Sequence, residues 1–484
     1  MSTTAHEVPQ ALTVDGFRTR RSFGFGNLSK SATIIIVAML AAEGIIGVRM
    51  PLSLLVTVPL TLAFGVLAAS RRHGMSALSY YVALISWRRA RRHGVTTYRR
   101  LLLPQPYALD LPGVGAASTL IKVADPTSGT AVGVVHGRDT DLMSVTTLLA
   151  PGGSLMAPTS TVRGAVRTWG DVLAGMSTDE QIKGASVTVQ ITPGAGEALA
   201  DDVKKRVDPS APQLAKSTIT ELVGTTPRAT ASVAAWMTVT VDPNATVNPP
   251  TDLADKVGEA LRVVDSLDLS GTGTDVHRRC TDVDVRRLVR SAYDPSVFHE
   301  HPDRFVDLSW GECGPVAADD GWTAFAHDGA VSVSYVLQEM PRRVIPYSVL
   351  LPLLSPGRFQ RRITLSYKVL DPEQGEAVLE REISNAENRA DATAQVKGRA
   401  KYSQKADFER ANKAAAAAAQ GAQVVDWTLT ATATATRPED LDAARQDLER
   451  AVKATRGIRL RPAYGAQGPA FATGLPVGYN PLVS

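Results

Sequence analysis

Ser232-Val-Ala-Ala-Trp236-Met-Thr-Val-Thr-Val-Asp242 alternates its side chains with a period of two around one bulky ring, the pattern of a half-buried strand. A polar linker follows, then a helically spaced stretch from Asp252 to Leu267, then Gly271-Thr-Gly-Thr. The same order returns about 190 residues later: Val424-Val-Asp-Trp427-Thr-Leu-Thr-Ala-Thr, then Pro438-Glu-Asp440, the helical spacing of Leu441 to Ala454, and Arg456-Gly457-Ile458. Each tryptophan strand is preceded by a helical stretch, Ala200 to Val223 in one case and Asp407 to Ala422 in the other. Before that lies another strand, Ala185 to Ile191 or Arg362 to Val369. The chain therefore reads as α+β, built from two related halves. Both tryptophans read as core rings buried against helices behind a sheet, and Ala414 to Ala419 as a helix of high intrinsic propensity.

Working outward, Thr119 to Val123 and Ala131 to His136 flank the turn-rich Asp125-Pro126-Thr127-Ser128-Gly129 and predict a β-hairpin, with a further strand over Asp141 to Leu149. Thr161 to Met176 has helical spacing, as does Val283 to Ala292, and Ala330 to Val336 predicts a strand. Alternating strand and helix in each half resembles a ferredoxin-like sandwich. The resulting division is a basic N-terminus (1–30), an apolar hairpin (31–70), a basic interfacial segment (71–100), a first α+β half (101–269), a connecting segment (270–360) and a second half (361–484).

The apolar hairpin consists of Ser31 to Val48 and Leu52 to Ala69, separated by Arg49, Met50 and Pro51. About 18 residues at 1.5 Å each give roughly 27 Å, close to a hydrocarbon core of about 30 Å. So short a connection predicts two antiparallel membrane spans. Arg18, Arg20, Arg21 and Lys30 precede them, Arg71, Arg72, Arg88, Arg89, Arg91, Arg92, Arg99 and Arg100 follow, and Arg49 alone sits at the far turn. The positive-inside bias then places both termini in the cytoplasm of a two-pass inner-membrane protein. Basic residues directly after the second run argue for an anchor and against a cleaved export signal. Glu43, inside the first span, is a costly group there that suits a proton relay or a partner-helix contact; lying five residues before Val48, it is read in preference as reaching the headgroups. Met75 to Trp87, with Tyr80, Tyr81 and Trp87 ahead of Arg88-Arg89 and Arg91-Arg92, predicts either a helix lying on the inner leaflet with its aromatics at headgroup depth or a plain continuation of the second span.

Residues 1–100 hold 13 Lys and Arg against Glu7, Asp15 and Glu43, a balance of +10; the chain as a whole carries +4, which leaves −6 for residues 101–484. The positive charge thus flanks the lipid-facing segment, where anionic headgroups attract it. The remainder has no basic footprint for nucleic acid, and direct nucleic-acid binding is not expected. Cys280 and Cys313 make neither a disulfide framework nor a zinc spacing.

Signals for chemistry are sparse. The sequence has no Gly-x-x-x-x-Gly-Lys-Ser/Thr loop, and Gly271-Thr-Gly-Thr-Asp275 lacks the lysine that would meet a nucleotide. It has no Gly-x-Ser-x-Gly elbow and no His-Glu-x-x-His. His299-Glu300-His301 with Asp303 is the nearest approach to a metal cluster, but adjacent residues on a Pro-containing loop do not converge on one ion, and the stretch reads as a solvated turn. The expectation is a protein that is not an enzyme and carries no cofactor.

The Arg-flanked double span resembles the PrgI-like, VirB-type inner-membrane component of type IV secretion and conjugation systems. The remainder resembles the non-catalytic N-terminal part of the conjugation ATPase. The likeness rests on the helix Val283 to Asp294, on Trp322, on Pro341 to Leu354, on the Trp427 strand and its helix, and on Gln467-Gly-Pro-Ala-Phe471 followed by Leu475-Pro476. It is also similar to an actinobacterial family of about this length, and in architecture to the EccE component of type VII secretion. The resemblance implies a scaffold within a hetero-oligomeric complex that docks a separate ATPase and other membrane subunits at the inner membrane. It departs from the ATPases in lacking a phosphate-binding loop, so no motor activity is carried over.

Overall fold

The computed structural model describes residues 13–14, 30–50, 52, 54–100, 110–125, 129–152, 158–194, 203, 206–208, 210–225, 231–299, 302–339, 345–397, 402–419 and 423–483. Among them one sheet holds thirteen strands. In chain order these are β1 (Thr97–Arg99), β2 (Ser118–Ala124), β3 (Ala131–Gly137), β4 (Leu142–Pro151), β5 (Ile182–Pro193), β6 (Ala231–Val241), β7 (Thr274–Arg279), β8 (Ala317–Asp320), β9 (Phe325–His327), β10 (Ala330–Glu339), β11 (Gln360–Val369), β12 (Val425–Ala435) and β13 (Arg459–Pro462). The main helices are α1 (Lys30–Arg49), α2 (Leu54–Ala69), α3 (Ala77–Arg92), α4 (Thr159–Thr178), α5 (Gln213–Thr225), α6 (Leu253–Asp265), α7 (Asp282–Tyr293), α8 (Pro372–Lys397), α9 (Tyr402–Ala419), α10 (Leu441–Ala454) and α11 (Gln467–Ala472).

The molecule is a mixed α+β protein, and its two halves repeat one topology. In the first, β4-α4-β5-β6-α6-β7 places its strands in the order β7-β4-β6-β5; in the second, β10, two short helical turns, β11-β12-α10-β13 gives β13-β10-β12-β11. Both are the strand order of a split β-α-β unit. The halves join where β5 runs antiparallel to β11, with Val187 opposite Leu365. The connecting segment, read as 270–360, is therefore narrower in space, because β7 belongs to the first half's sheet and β10 to the second's. Of the stretch read as helical from Ala200, Gln213–Thr225 is helix, and most of 195–209 lies outside the described residues.

Strand periodicity gives the sheet two different faces. On one, Met237, Val239 and Ala185 pack under α4 and α6, and Ile363, Leu429 and Ala431 under α10. The other face is hydroxyl-rich and equally buried. Its side chains satisfy one another across strands: Thr146 with Thr238 at 3.0 Å, Thr188 with Thr364 at 3.0 Å across the seam between halves, Ser334 with Thr432 at 2.9 Å and Ser332 with Thr434 at 2.8 Å. Trp427 sits on the helix-covered face as the sequence predicts. Trp236 is also buried against a helix, α7, but on the opposite face, which it shares with Thr238 and Thr240, beside Phe471 and Leu475.

That second face is closed by the C-terminal segment. Gln467 donates to the Ser334 carbonyl and accepts from the Ser334 amide, Gly474 lies over Thr364 and Arg362, Thr240 donates to the Gly478 carbonyl at 3.2 Å, and Asn480 donates to the Tyr367 carbonyl at 2.9 Å. The strap thus crosses from the second half to the first. Beneath it, Arg362 is 2 % exposed, its guanidinium 4.2 Å from the Phe471 ring centroid, and burial lowers its pKa to about 10.

Candidate functional site

The hairpin and α3 meet the body at one edge of the sheet, through Gly74 and Trp87. Helices α1 and α2 pack against each other as an antiparallel pair, with Lys30 and Arg49 as the first and last residues of α1. Their polarity is inverted relative to a water-soluble hairpin. Glu43 is buried in the seam, where it accepts a hydrogen bond from the Thr61 hydroxyl. This is the partner-helix contact, not the route to the headgroups. The outward surface is apolar: Ile45 is 69 % exposed, Leu55 74 % and Val56 71 %, with Val37, Leu40, Leu60, Leu62 and Val66 beside them. Among the described residues no helix is long and apolar enough to cross a membrane; α2 has 16 residues, about 24 Å at 1.5 Å rise.

Below α2 the chain reverses sharply, so α3 is not a continuation of the second apolar run. Arg71 pairs with Ser76 and Arg72 with Met75, while His73 and Gly74, with φ of 50° and 84°, form the two-residue turn. A Cβ on Gly74 would lie 2.7 Å from Gln338 Oε1 and 3.2 Å from Arg461 Cβ, so the turn is pressed against the body. Ser76 caps α3 by accepting from the Ser79 amide at 3.1 Å.

Helix α3 fastens this hairpin to the sheet. Trp87 donates through Nε1 to the Asp320 carbonyl at 3.0 Å, and its ring lies 5.7 Å from that of Trp322. Tyr80 meets Trp322 edge-on at 5.4 Å and Tyr464 at 5.6 Å, and Trp322 stacks on Tyr464 at 5.5 Å. Arg91 lies over the Trp87 ring at 5.2 Å and reaches Asp319 at 3.8 Å, and Arg72 donates to the Tyr81 hydroxyl at 3.1 Å. The sequence reading placed Tyr80 and Trp87 at headgroup depth. The structure turns both toward the body and leaves Tyr81, Val82 and Ile85 outward, with Arg88, Arg89 and Arg92 exposed beyond them. No local spacing could reveal Trp322 and Tyr464, because they arrive from more than 200 residues away.

Asp320 lies under this junction, its Oδ1 accepting from the Gly468 amide at 2.8 Å, and desolvation raises its pKa to about 6. A folded-state pKa above the unfolded value means that the native protein binds this proton more tightly. The contribution is complete below about pH 3.8 and disappears as pH rises through about 6. Asp320→Asn should therefore erase a component of up to roughly 3 kcal/mol between those limits, read as the difference between wild-type and variant urea midpoints across pH. Identical pH profiles would refute the assignment.

Elsewhere, the two thiols and His327 are desolvated. Cys280 and Cys313 are both buried, with thiol pKa values pushed up by desolvation, that of Cys313 to about 12. His327 is held between the Tyr293 carbonyl and the Ser332 hydroxyl, each at 2.8 Å, and burial depresses its pKa to about 3. Of the His299 to Asp303 grouping, Glu300 and His301 lie outside the described residues. Among the described residues no three His, Cys, Asp or Glu could together hold a metal ion. Compared with known proteins, the chain matches no family model and no curated protein.

Proposed function

We propose that this protein is a membrane-anchored adaptor, held by α1 and α2 in the inner membrane with both termini cytoplasmic, which seats a separate ATPase of a type IV secretion or conjugation-like apparatus. One observation carries the anchoring: a hairpin with its polar pair inside and its large apolar side chains outside, an arrangement stable in lipid and costly in water. The shortness of α2 is met by local thinning of the bilayer and by snorkelling of the flanking arginines. The chain on either side of the hairpin supports the orientation. Thr13 and Val14, before it, pair with Pro346 and Ile345 of the body after it, as flanks on one side of the membrane require.

The adaptor role draws on the likeness of the body to the non-catalytic part of conjugation ATPases and on the rigid coupling of hairpin to sheet through Trp87, Trp322 and Tyr464. An anchored body raises the effective concentration of any partner it holds at the membrane. Because both native cysteines are buried, Ser484→Cys gives a single reactive thiol. An impermeant maleimide should label it only after cell lysis, the protein should stay with membranes through carbonate washing, and detergent-solubilised complexes should contain a hexameric-type ATPase. Labelling in intact cells would overturn the orientation, and purification as a lone monomer would overturn the adaptor role.

A further inference from the structure

Helix α3 presents a second face that its contacts with the body leave uncovered. Tyr81, Val82 and Ile85 follow one another at helical spacing on the side away from Tyr80 and Trp87, and Val82 is 55 % and Ile85 65 % exposed. The same surface ends in Arg88, Arg89 and Arg92, all exposed. At its start it adjoins Arg72, which Tyr81 holds by its hydroxyl, and the base of α2, against which α3 packs. An apolar stripe bordered by guanidinium groups and continuous with an apolar hairpin has one matching occupant: an anionic phospholipid surface, with acyl chains against Val82 and Ile85 and phosphates against the arginines.

We infer that α3 is a lipid sensor: it lies in the headgroup layer when the leaflet is anionic and leaves it when the leaflet is neutral. The body, fixed to α3 by Trp87, Arg91, Trp322 and Tyr464, changes its angle to the membrane accordingly. This rests on the anchor reading above and adds to it a dependence on lipid charge that the hairpin alone would not show.

The test uses the full-length protein carrying Val82→Cys, labelled with an environment-sensitive fluorophore and reconstituted into nanodiscs of phosphatidylcholine alone or of an equal mixture with phosphatidylglycerol. In the anionic discs the emission should shift to the blue and iodide quenching should be lost. Both effects should vanish in neutral discs, at high salt, and in the Arg88→Gln, Arg89→Gln, Arg92→Gln background, which should still resist carbonate extraction. A label that stays water-exposed in both lipids, in protein that resists carbonate, overturns the inference and leaves the anchor standing. A label equally buried in both also overturns it. Protein extracted by carbonate overturns the anchor, whatever the label reports.

Discussion

Phe471→Ala should lower the free energy of unfolding by about 4 kcal/mol, near the upper range for removing a buried ring. The ring is 1 % exposed and touches four partners from three elements: Tyr293 at 5.0 Å, Phe325 at 5.2 Å, His327 at 5.0 Å and the Arg362 guanidinium at 4.2 Å. Its loss removes buried apolar area and also opens a space beside a desolvated cation that makes no ion pair among the described residues. Urea unfolding of the detergent-solubilised protein measures the change, and Phe471→Leu should recover about half of it. A shift below about 1 kcal/mol would mean that the strap rests on the sheet without stabilising it.

Gly478→Ala should cost about 3 kcal/mol, and for a different reason. The residue has a φ of 74°, which alone costs an alanine roughly 1 kcal/mol. The added methyl would also overlap the Ser144 hydroxyl, lie 2.8 Å from Ser144 Cβ and 3.2 Å from Thr240 Oγ1, and so lift the strap off β4 and β6. Gly94 supplies the control, because its φ of 72° is nearly the same and nothing lies within 4 Å of its Cβ. Gly94→Ala should show the conformational part alone. Equal losses at both positions would remove the packing argument.

Helices were the most legible part of the chain. Leu441–Ala454 matches its sequence reading residue for residue, and α4, α6 and α7 lie within two residues of theirs, because a 3.6-residue period over three or four turns is a strong local signal. The repeated strand, helix and strand order was legible too. The inner side of the second sheet face was not. Thr428-Leu-Thr-Ala-Thr-Ala-Thr alternates as a surface strand would, polar out and apolar in. Yet Thr430, Thr432 and Thr434 are buried, because the Thr432 and Thr434 hydroxyls find partners on a neighbouring strand and the strap excludes water. Nothing in the spacing of Gln467-Gly-Pro-Ala-Phe471 announces a cover for residues more than a hundred positions earlier.

The hairpin and its basic flanks were read from hydropathy and charge, which are local properties. The junction could not be read that way. Tyr80 and Trp87 have the composition of a membrane-interface belt, and only the arrival of Trp322 and Tyr464 from the connecting segment and the strap turns them inward. Glu43 shows the same limit, since its partner Thr61 is fixed by how two helices rotate against each other.

The unbroken sheet has a mechanical consequence. Eleven strands lie along its main path, and ten spacings of about 4.8 Å make a boom roughly 48 Å long, measured along its curve. Its pivot is at the β8 to β10 margin, where α3 is bolted on, and its free tip is β2. On the proposed anchoring, a tilt of a few degrees at the bilayer would sweep that tip through several ångströms, so small changes at the lipid surface would be delivered, magnified, to a partner held far beneath it.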